Sequence, residues 1–162
     1  MGAGTLIFFC GKMGAGKSTY AQQLARKDSA ILISEDEWLA TLYPQQIHTI
    51  KDYLRCSAQL KNILSEHISL LLKSGLTLIL DFPGNTIEQR HWFKDIINRS
   101  QCQHRLICLN HSDERCLQQL AQRRNEQPQR AAFDNEATFY QLSQFFQLPT
   151  EEEGFILEWL QN

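Results

Sequence analysis

The chain has 162 residues, 43% of them hydrophobic and 21% charged, with a formal net charge of −2. These proportions are ordinary for a globular protein, and the length suits one domain with a real core. They speak against a broad basic surface for duplex nucleic acid, and no apolar run approaches the ~20 residues that cross a bilayer.

The first predicted element is Leu6-Ile7-Phe8-Phe9-Cys10, an unbroken apolar run like a strand buried on both faces. It leads into Gly11-Lys12-Met13-Gly14-Ala15-Gly16-Lys17-Ser18-Thr19, which reads G-x-x-x-x-G-K-S. Gly11, Gly14 and Gly16 leave backbone N–H groups free to wrap phosphates. Lys17 can reach the outer phosphate oxygens, and the Ser18 hydroxyl can take one position on Mg²⁺. Tyr20, Leu24 and the alanines at 21 and 25 then give a modest helical face, whose positive N-terminal end adds to the phosphate site. Strand, glycine-rich loop and helix in that order predict ATP and Mg²⁺ as ligands, with residues 11–19 holding the nucleotide. Lys12 is expected to meet solvent or an outer phosphate oxygen.

A second strand is predicted at residues 30–33, followed by Ser34-Glu35-Asp36-Glu37-Trp38. Acids at that point either cap the next helix or stand at the carboxyl edge of the sheet, where ligands bind in open α/β folds. Glu35 and Glu37 read as solvated. Residues 49–73 carry the longest helical pattern, with apolar residues spaced by three and four and one gap near Ser57. His67 falls on that face and reads as a packing histidine. Ser74-Gly75 ends the helix.

The third strand, at residues 76–80, runs into Asp81 and the loop Phe82-Pro83-Gly84-Asn85. Thr86-Ile87-Glu88-Gln89 has the form of a capping box, so a helix is expected from Ile87 with Trp92, Phe93, Ile96 and Ile97 inward. A fourth strand is predicted at residues 105–109. A helix over about 113–125 should bury Cys116, Leu117 and Leu120 and end at Arg123-Arg124. Another over 136–146 should bury Phe139, Leu142 and Phe146, and a last strand is expected over 154–159. Short strands alternating with helices predict an α/β fold with a mainly parallel sheet.

Phosphoryl transfer to an alcohol requires that the triphosphate be held, the metal placed, the hydroxyl oriented or deprotonated, and the developing charge covered. Asp81, after five apolar residues, is placed to hold Mg²⁺ through water, unless it only bonds its own backbone before Pro83. Asp36 is placed as general base or hydroxyl orienter, unless it is a helix cap; the two roles can coexist. Arg123 and Arg124 either complement a helix end or belong to a lid that covers the phosphoryl group and stacks on adenine.

Five cysteines at 10, 56, 102, 108 and 116 have no C-x-x-C or zinc spacing. Their odd number beside an ATP motif predicts a reducing, cytoplasmic setting. The first residues, Met-Gly-Ala-Gly-Thr, have no basic region, so no signal peptide is expected.

Five segments together resemble one group. They are residues 9–19, the Ser34-Glu35-Asp36-Glu37-Trp38 segment, the run Leu80-Asp81-Phe82-Pro83-Gly84-Asn85-Thr86, Arg123-Arg124-Asn125, and a tail with Phe146, Pro149 and Glu153-Gly154-Phe155. The group is the small bacterial P-loop kinases related to zeta toxin, polynucleotide 5′-kinase, gluconate kinase and chloramphenicol phosphotransferase. The resemblance spans almost the whole chain. It implies a P-loop NTPase with a five-stranded parallel sheet in order 2-3-1-4-5 flanked by helices. It also implies one domain over 1–162 with a short helical lid at about 123–135. The aspartate that activates the acceptor hydroxyl falls on Asp36, and the lid arginines fall on Arg123 and Arg124. One departure is Leu39, where polynucleotide kinases carry an arginine three residues after the catalytic aspartate; this weakens recognition of a nucleic-acid end.

The expected function is transfer of the ATP γ-phosphoryl group to a hydroxyl of a small molecule or nucleotide. Two alternatives stand beside it: a zeta-toxin-like nucleotide-sugar kinase with an antitoxin partner, and an ATP-binding regulator that hydrolyses slowly and signals by conformation. Asp36 favours the kinase.

Overall fold

A computed structural model describes residues 2–128 and 134–160. The strands are β1 (Thr5–Cys10), β2 (Ile31–Ser34), β3 (Thr77–Asp81), β4 (Gln103–Leu109) and β5 (Leu157–Leu160). They form a five-stranded sheet in the order β2-β3-β1-β4-β5, with every neighbouring pair parallel. The sheet order is the expected one. β4 starts two residues earlier than predicted and β5 three residues later. Residues 151–153 form a short 3₁₀ turn, closed by Thr150 and Glu153 bonding each other's backbone.

The strands bury both faces, so β1 sorts its side chains by alternation. Leu6, Phe8 and Cys10 join one core with Leu78, Leu80, Leu106 and Cys108. Ile7 and Phe9 join a second core with Ile79, Ile107 and Leu109 on the opposite face. The first core is covered by α3 (Ile50–Lys73) and α4 (Ile87–Ser100), through Leu60, Leu64, Ile68, Phe93 and Ile96. The second is covered by α1 (Lys17–Asp28), α5 (Asp113–Glu126) and α6 (Glu136–Ser143), through Ala21, Cys116, Leu120 and Phe139. The remaining helix, α2 (Glu35–Leu42), follows β2 directly. The capping pattern at Thr86 is real, with its side-chain oxygen accepting from the Gln89 N–H at 3.0 Å. The reciprocal bond differs, because Gln89 reaches back one residue further to the Asn85 N–H at 2.8 Å.

Three sequence expectations are corrected. His67 is exposed and does not pack in the core; the inward face of α3 is Cys56, Ser57, Leu60, Leu64, Ile68, Ser69 and Leu72. Ile50, Leu54 and Ile63 lie on its outer faces. Leu142 is exposed, and α6 ends at Ser143, three residues before the predicted stop; Phe146 still packs against the first core. Among the described residues no helix is long and apolar enough to cross a membrane.

Candidate active site

β1 ends at Cys10 and α1 begins at Lys17, so residues 11–16 form the turn between them. Within it the Ala15 N–H closes on the Lys12 carbonyl at 3.0 Å. Lys17 donates its ammonium to the Gly11 carbonyl, across the concave side of the turn. Burial pushes the Lys17 ammonium below its ordinary pKa, while the nearby Asp81 carboxylate works the other way. Gly14 stands at φ 80°, and a Cβ there would lie 2.5 Å from the Cys116 carbonyl oxygen. That residue must be glycine on both counts, because α5 packs directly on the loop. Met13 packs against the second core and Ala15 is buried, while Ser18 and Thr19 open to solvent. Lys12 is partly exposed and has a protein partner as well. It pairs with Asp113 at 2.8 Å and lies 5.6 Å from the Phe146 ring centre.

The loop after β3 is tied to this turn. Asn85 accepts the Gly11 N–H at 2.9 Å through its side-chain oxygen. Gly84 passes so close to β1 that a Cβ would sit 2.5 Å from the Phe9 carbonyl oxygen. Asp81 is the last residue of β3, and the Ser18 hydroxyl lies near enough to its carboxylate to lower the Asp81 pKa. Burial raises the Asp81 pKa and the neighbouring Asp36 carboxylate raises it further, against Ser18 and Lys17. Ser18 and Asp81 are a hydroxyl and a carboxylate side by side. This is the hard-oxygen donor set that Mg²⁺ takes from a protein, with water and phosphate completing its shell. The two residues therefore fit the expected metal.

Asp36 lies in the first turn of α2, with Ser34 in the capping position. It is therefore not the cap, and its exposed carboxylate stands at the sheet edge that also carries Asp81 and the glycine-rich turn. Its neighbour Glu35 overturns the solvated reading, being only 2% exposed. Tyr53 donates to one Glu35 oxygen at 2.5 Å and Ser57 to the other at 2.7 Å. The apparent gap in the apolar face of α3 at Ser57 is thus the partner of a buried acid. Burial holds the Glu35 pKa above the usual carboxylate value, against both hydroxyls. A raised folded-state pKa means that folding favours the protonated acid. That stability is fully present below the unfolded value and is lost as pH rises through the folded one. Urea unfolding followed upward from about pH 4.5 should show this fall, and Glu35→Gln, which keeps an acceptor but cannot ionise, should flatten it. Equal slopes in the two proteins would remove Glu35 as the source.

On the other side of the turn, a cleft of about 460 Å³ is lined by Gly14, Gly16, Thr19 and Tyr20, by the ends of β4 and β5 at Leu109 and Leu160, and by α5 through Arg115, Gln119 and Arg123. Arg123 forms a two-bonded ion pair with the buried Asp134, at 2.6 and 2.7 Å. Arg124 donates to the Asp134 backbone oxygen at 3.0 Å. Residues 129–133 of the expected lid lie outside the described residues. Arg115, Gln119 and Arg123 recur at intervals of four along α5, so helical spacing could have grouped all three.

Arg90 was also not singled out by its position in sequence. It is fully buried on α4, bonds both oxygens of Glu153 at 2.8 and 3.0 Å, and donates to the Gly84 carbonyl at 2.9 Å. It thereby fastens the loop that carries Asn85.

Comparison with known proteins agrees with this geometry. No curated protein sequence matches the chain. Among solved structures, a protein of Chloroflexus aurantiacus j-10-fl has 17% identity over 99% of this chain and 86% of its own, with a TM-score of 0.71. The Mycobacterium tuberculosis APS kinase CysC, in complex with AMPPNP and APS, has 18% identity over 99% of this chain and 90% of its own, with a TM-score of 0.66. Chaetomium thermophilum Kti12, in complex with ADP-AlF3, has 18% identity over 96% of this chain and 88% of its own, also with a TM-score of 0.66. At such identities these likenesses speak for the fold alone, the P-loop NTPase fold with its 2-3-1-4-5 sheet. The AAA_33 family, described as an AAA domain, matches residues 6–149. A match over that much of the chain, on a sheet and phosphate-loop setting that agree with it, means that this protein belongs to the AAA_33 family.

Proposed function

We infer that the protein is an ATP-dependent phosphotransferase that moves the γ-phosphoryl group to a hydroxyl of a small molecule or nucleotide. The observation that carries this reading is the placement of Asp36. An exposed carboxylate that does not cap its helix stands at the same sheet edge as Asp81 and the phosphate loop, where an acceptor hydroxyl would face the outer phosphate. The segments that resemble zeta toxin, polynucleotide kinase, gluconate kinase and chloramphenicol phosphotransferase favour the same chemistry.

In this reading the backbone of residues 11–19 cradles the phosphates and Lys17 neutralises their outer oxygens. Ser18 and Asp81 would hold Mg²⁺, which supplies positive charge to the phosphate oxygens when bound. Asp36 accepts the proton of the acceptor hydroxyl. Arg123 and Arg124, oriented by Asp134, cover the charge that develops on the transferred group. A short helical lid at about 123–135, of which residues 129–133 lie outside the described residues, belongs to this reading, within a single domain of residues 1–162. The APS kinase structure, holding AMPPNP and APS together, supports it at the level of the fold. The proposed compartment is the cytoplasm, which supplies ATP and keeps thiols reduced; all five cysteines are free and buried.

The deciding experiment is ADP release from ATP with and without a panel of hydroxyl compounds, chosen by thermal shift in the presence of a non-hydrolysable ATP analogue. Acceptor-dependent release is the expected result, and release that no hydroxyl compound stimulates would count against a kinase. Lys17→Ala should weaken ATP binding by about 10- to 150-fold, the range for losing a hydrogen bond to a charged group. Calorimetry checks this, and unchanged affinity would refute the assignment of the phosphate loop.

A further inference from the structure

β1 outruns its neighbour on one side. Its register with β3 ends at Ile7 opposite Ile79, while its register with β4 continues to Cys10 opposite Cys108. Past Ile7 the loop that follows β3 takes over: Gly84 lies against the Phe9 carbonyl, and the Asn85 side-chain oxygen accepts the Gly11 N–H at 2.9 Å. Gly11 is buried, so its N–H needs a partner, and Asn85 supplies one at the residue where strand becomes phosphate loop. Asn85 is itself fastened from two directions. Its own N–H donates to the Gln89 side chain on α4 at 2.8 Å, and its carbonyl accepts from the Gln147 N–H at 2.8 Å. The Gly11 carbonyl in turn takes the Lys17 ammonium, so Gly11 is held at both its polar groups.

The Gly11 N–H is therefore spent inside the protein and is not among the groups that wrap phosphate, unlike the expectation from glycine spacing. A glycine has no side chain whose packing could fix its backbone, and a loop ordered only when its ligand arrives binds that ligand more weakly. We propose that Asn85 is a positioning residue for the nucleotide: by holding the Gly11 N–H it keeps the entrance of the phosphate loop in its binding shape before phosphate arrives. Asn85 acts through Gly11, without touching the nucleotide. This role rests on the phosphotransferase reading only in that a triphosphate occupies the phosphate loop. Gln147 is the internal control. Its side-chain oxygen accepts the Ile87 N–H at 3.0 Å, in the same junction of loop and tail, but not an N–H of the phosphate loop. If Asn85 served only to hold that junction together, loss of either side chain would act alike.

The test is calorimetric titration of inorganic tripolyphosphate and of a non-hydrolysable ATP analogue, each with Mg²⁺, into the full chain and into its Asn85→Ala and Gln147→Leu variants. Asn85→Ala should bind both ligands about 5- to 30-fold more weakly than the parent, the effect of ordering one backbone residue on binding. Gln147→Leu should bind both as the parent does, even if it melts at a lower temperature. Amide hydrogen exchange of the ¹⁵N-labelled parent gives a second readout that needs no variant to fold. The Gly11 N–H should be protected before tripolyphosphate is added and stay protected after it. The assignment is overturned if Asn85→Ala keeps parental affinity, if Gln147→Leu loses as much affinity as Asn85→Ala, or if the Gly11 N–H gains its protection only on adding tripolyphosphate. Failure of the parent to bind either ligand would instead bring down the phosphate-loop reading, and this one with it.

Discussion

Asp36→Asn should slow phosphoryl transfer to the acceptor by about 10²–10⁴-fold, the usual contribution of a general base, while ATP still binds. Asparagine keeps the size of the side chain and its hydrogen-bonding oxygen but cannot take a proton. The substitution should also leave the fold intact, because Asp36 is exposed and Ser34, not Asp36, stands at the helix cap. Asp81→Asn is the companion variant and should behave differently. Its carboxylate stands near Ser18 at the proposed metal position, so its loss should raise the Mg²⁺ requirement before it lowers the limiting rate. Single-turnover transfer across a Mg²⁺ titration separates the two. Background ATP hydrolysis is a weaker readout, since water need not use the same base. Parental transfer by Asp36→Asn would leave the acid without a catalytic part and the mechanism without its base.

The largest loss of stability should come from Arg90→Met. The guanidinium is fully buried and its Glu153 partner nearly so, at 14% side-chain exposure. Removing one member of such a pair leaves the other charge buried without its counter-ion, at a cost of about 3–5 kcal/mol. For a chain of this length that is a fall of about 6–20 °C in melting temperature. Urea denaturation gives the free energy directly. The double variant Arg90→Met/Glu153→Met should recover much of the loss, because two apolar side chains carry no desolvation penalty. A single variant within about 1 kcal/mol of the parent would show that the pair contributes packing only. The substitution should reach the site too. Arg90 holds the Gly84 carbonyl, and the next residue, Asn85, holds the Gly11 N–H at the entrance of the phosphate loop.

Local patterns were enough to determine the phosphate loop, the strand–helix alternation and the sheet-edge acids of this protein. Each of these depends on neighbours in sequence. Glycines at fixed spacing leave the backbone N–H groups open, apolar runs make buried strands, and an acid at the end of such a run must stand at the sheet edge. The strand order 2-3-1-4-5 came from resemblance, and the described sheet has it. What only the tertiary structure decided involves partners far apart in the chain. Glu35 looked solvated because its environment is made by Tyr53 and Ser57, 18 and 22 residues away. Arg90 carried no signal of its own in the sequence, because its partner Glu153 lies 63 residues on. The Asp113 that pairs with Lys12 lies 101 residues away in the chain. Periodicity reports which face of an element turns inward. It does not report which polar groups meet there, because charge pairing and desolvation depend on distances that exist only after the chain has folded.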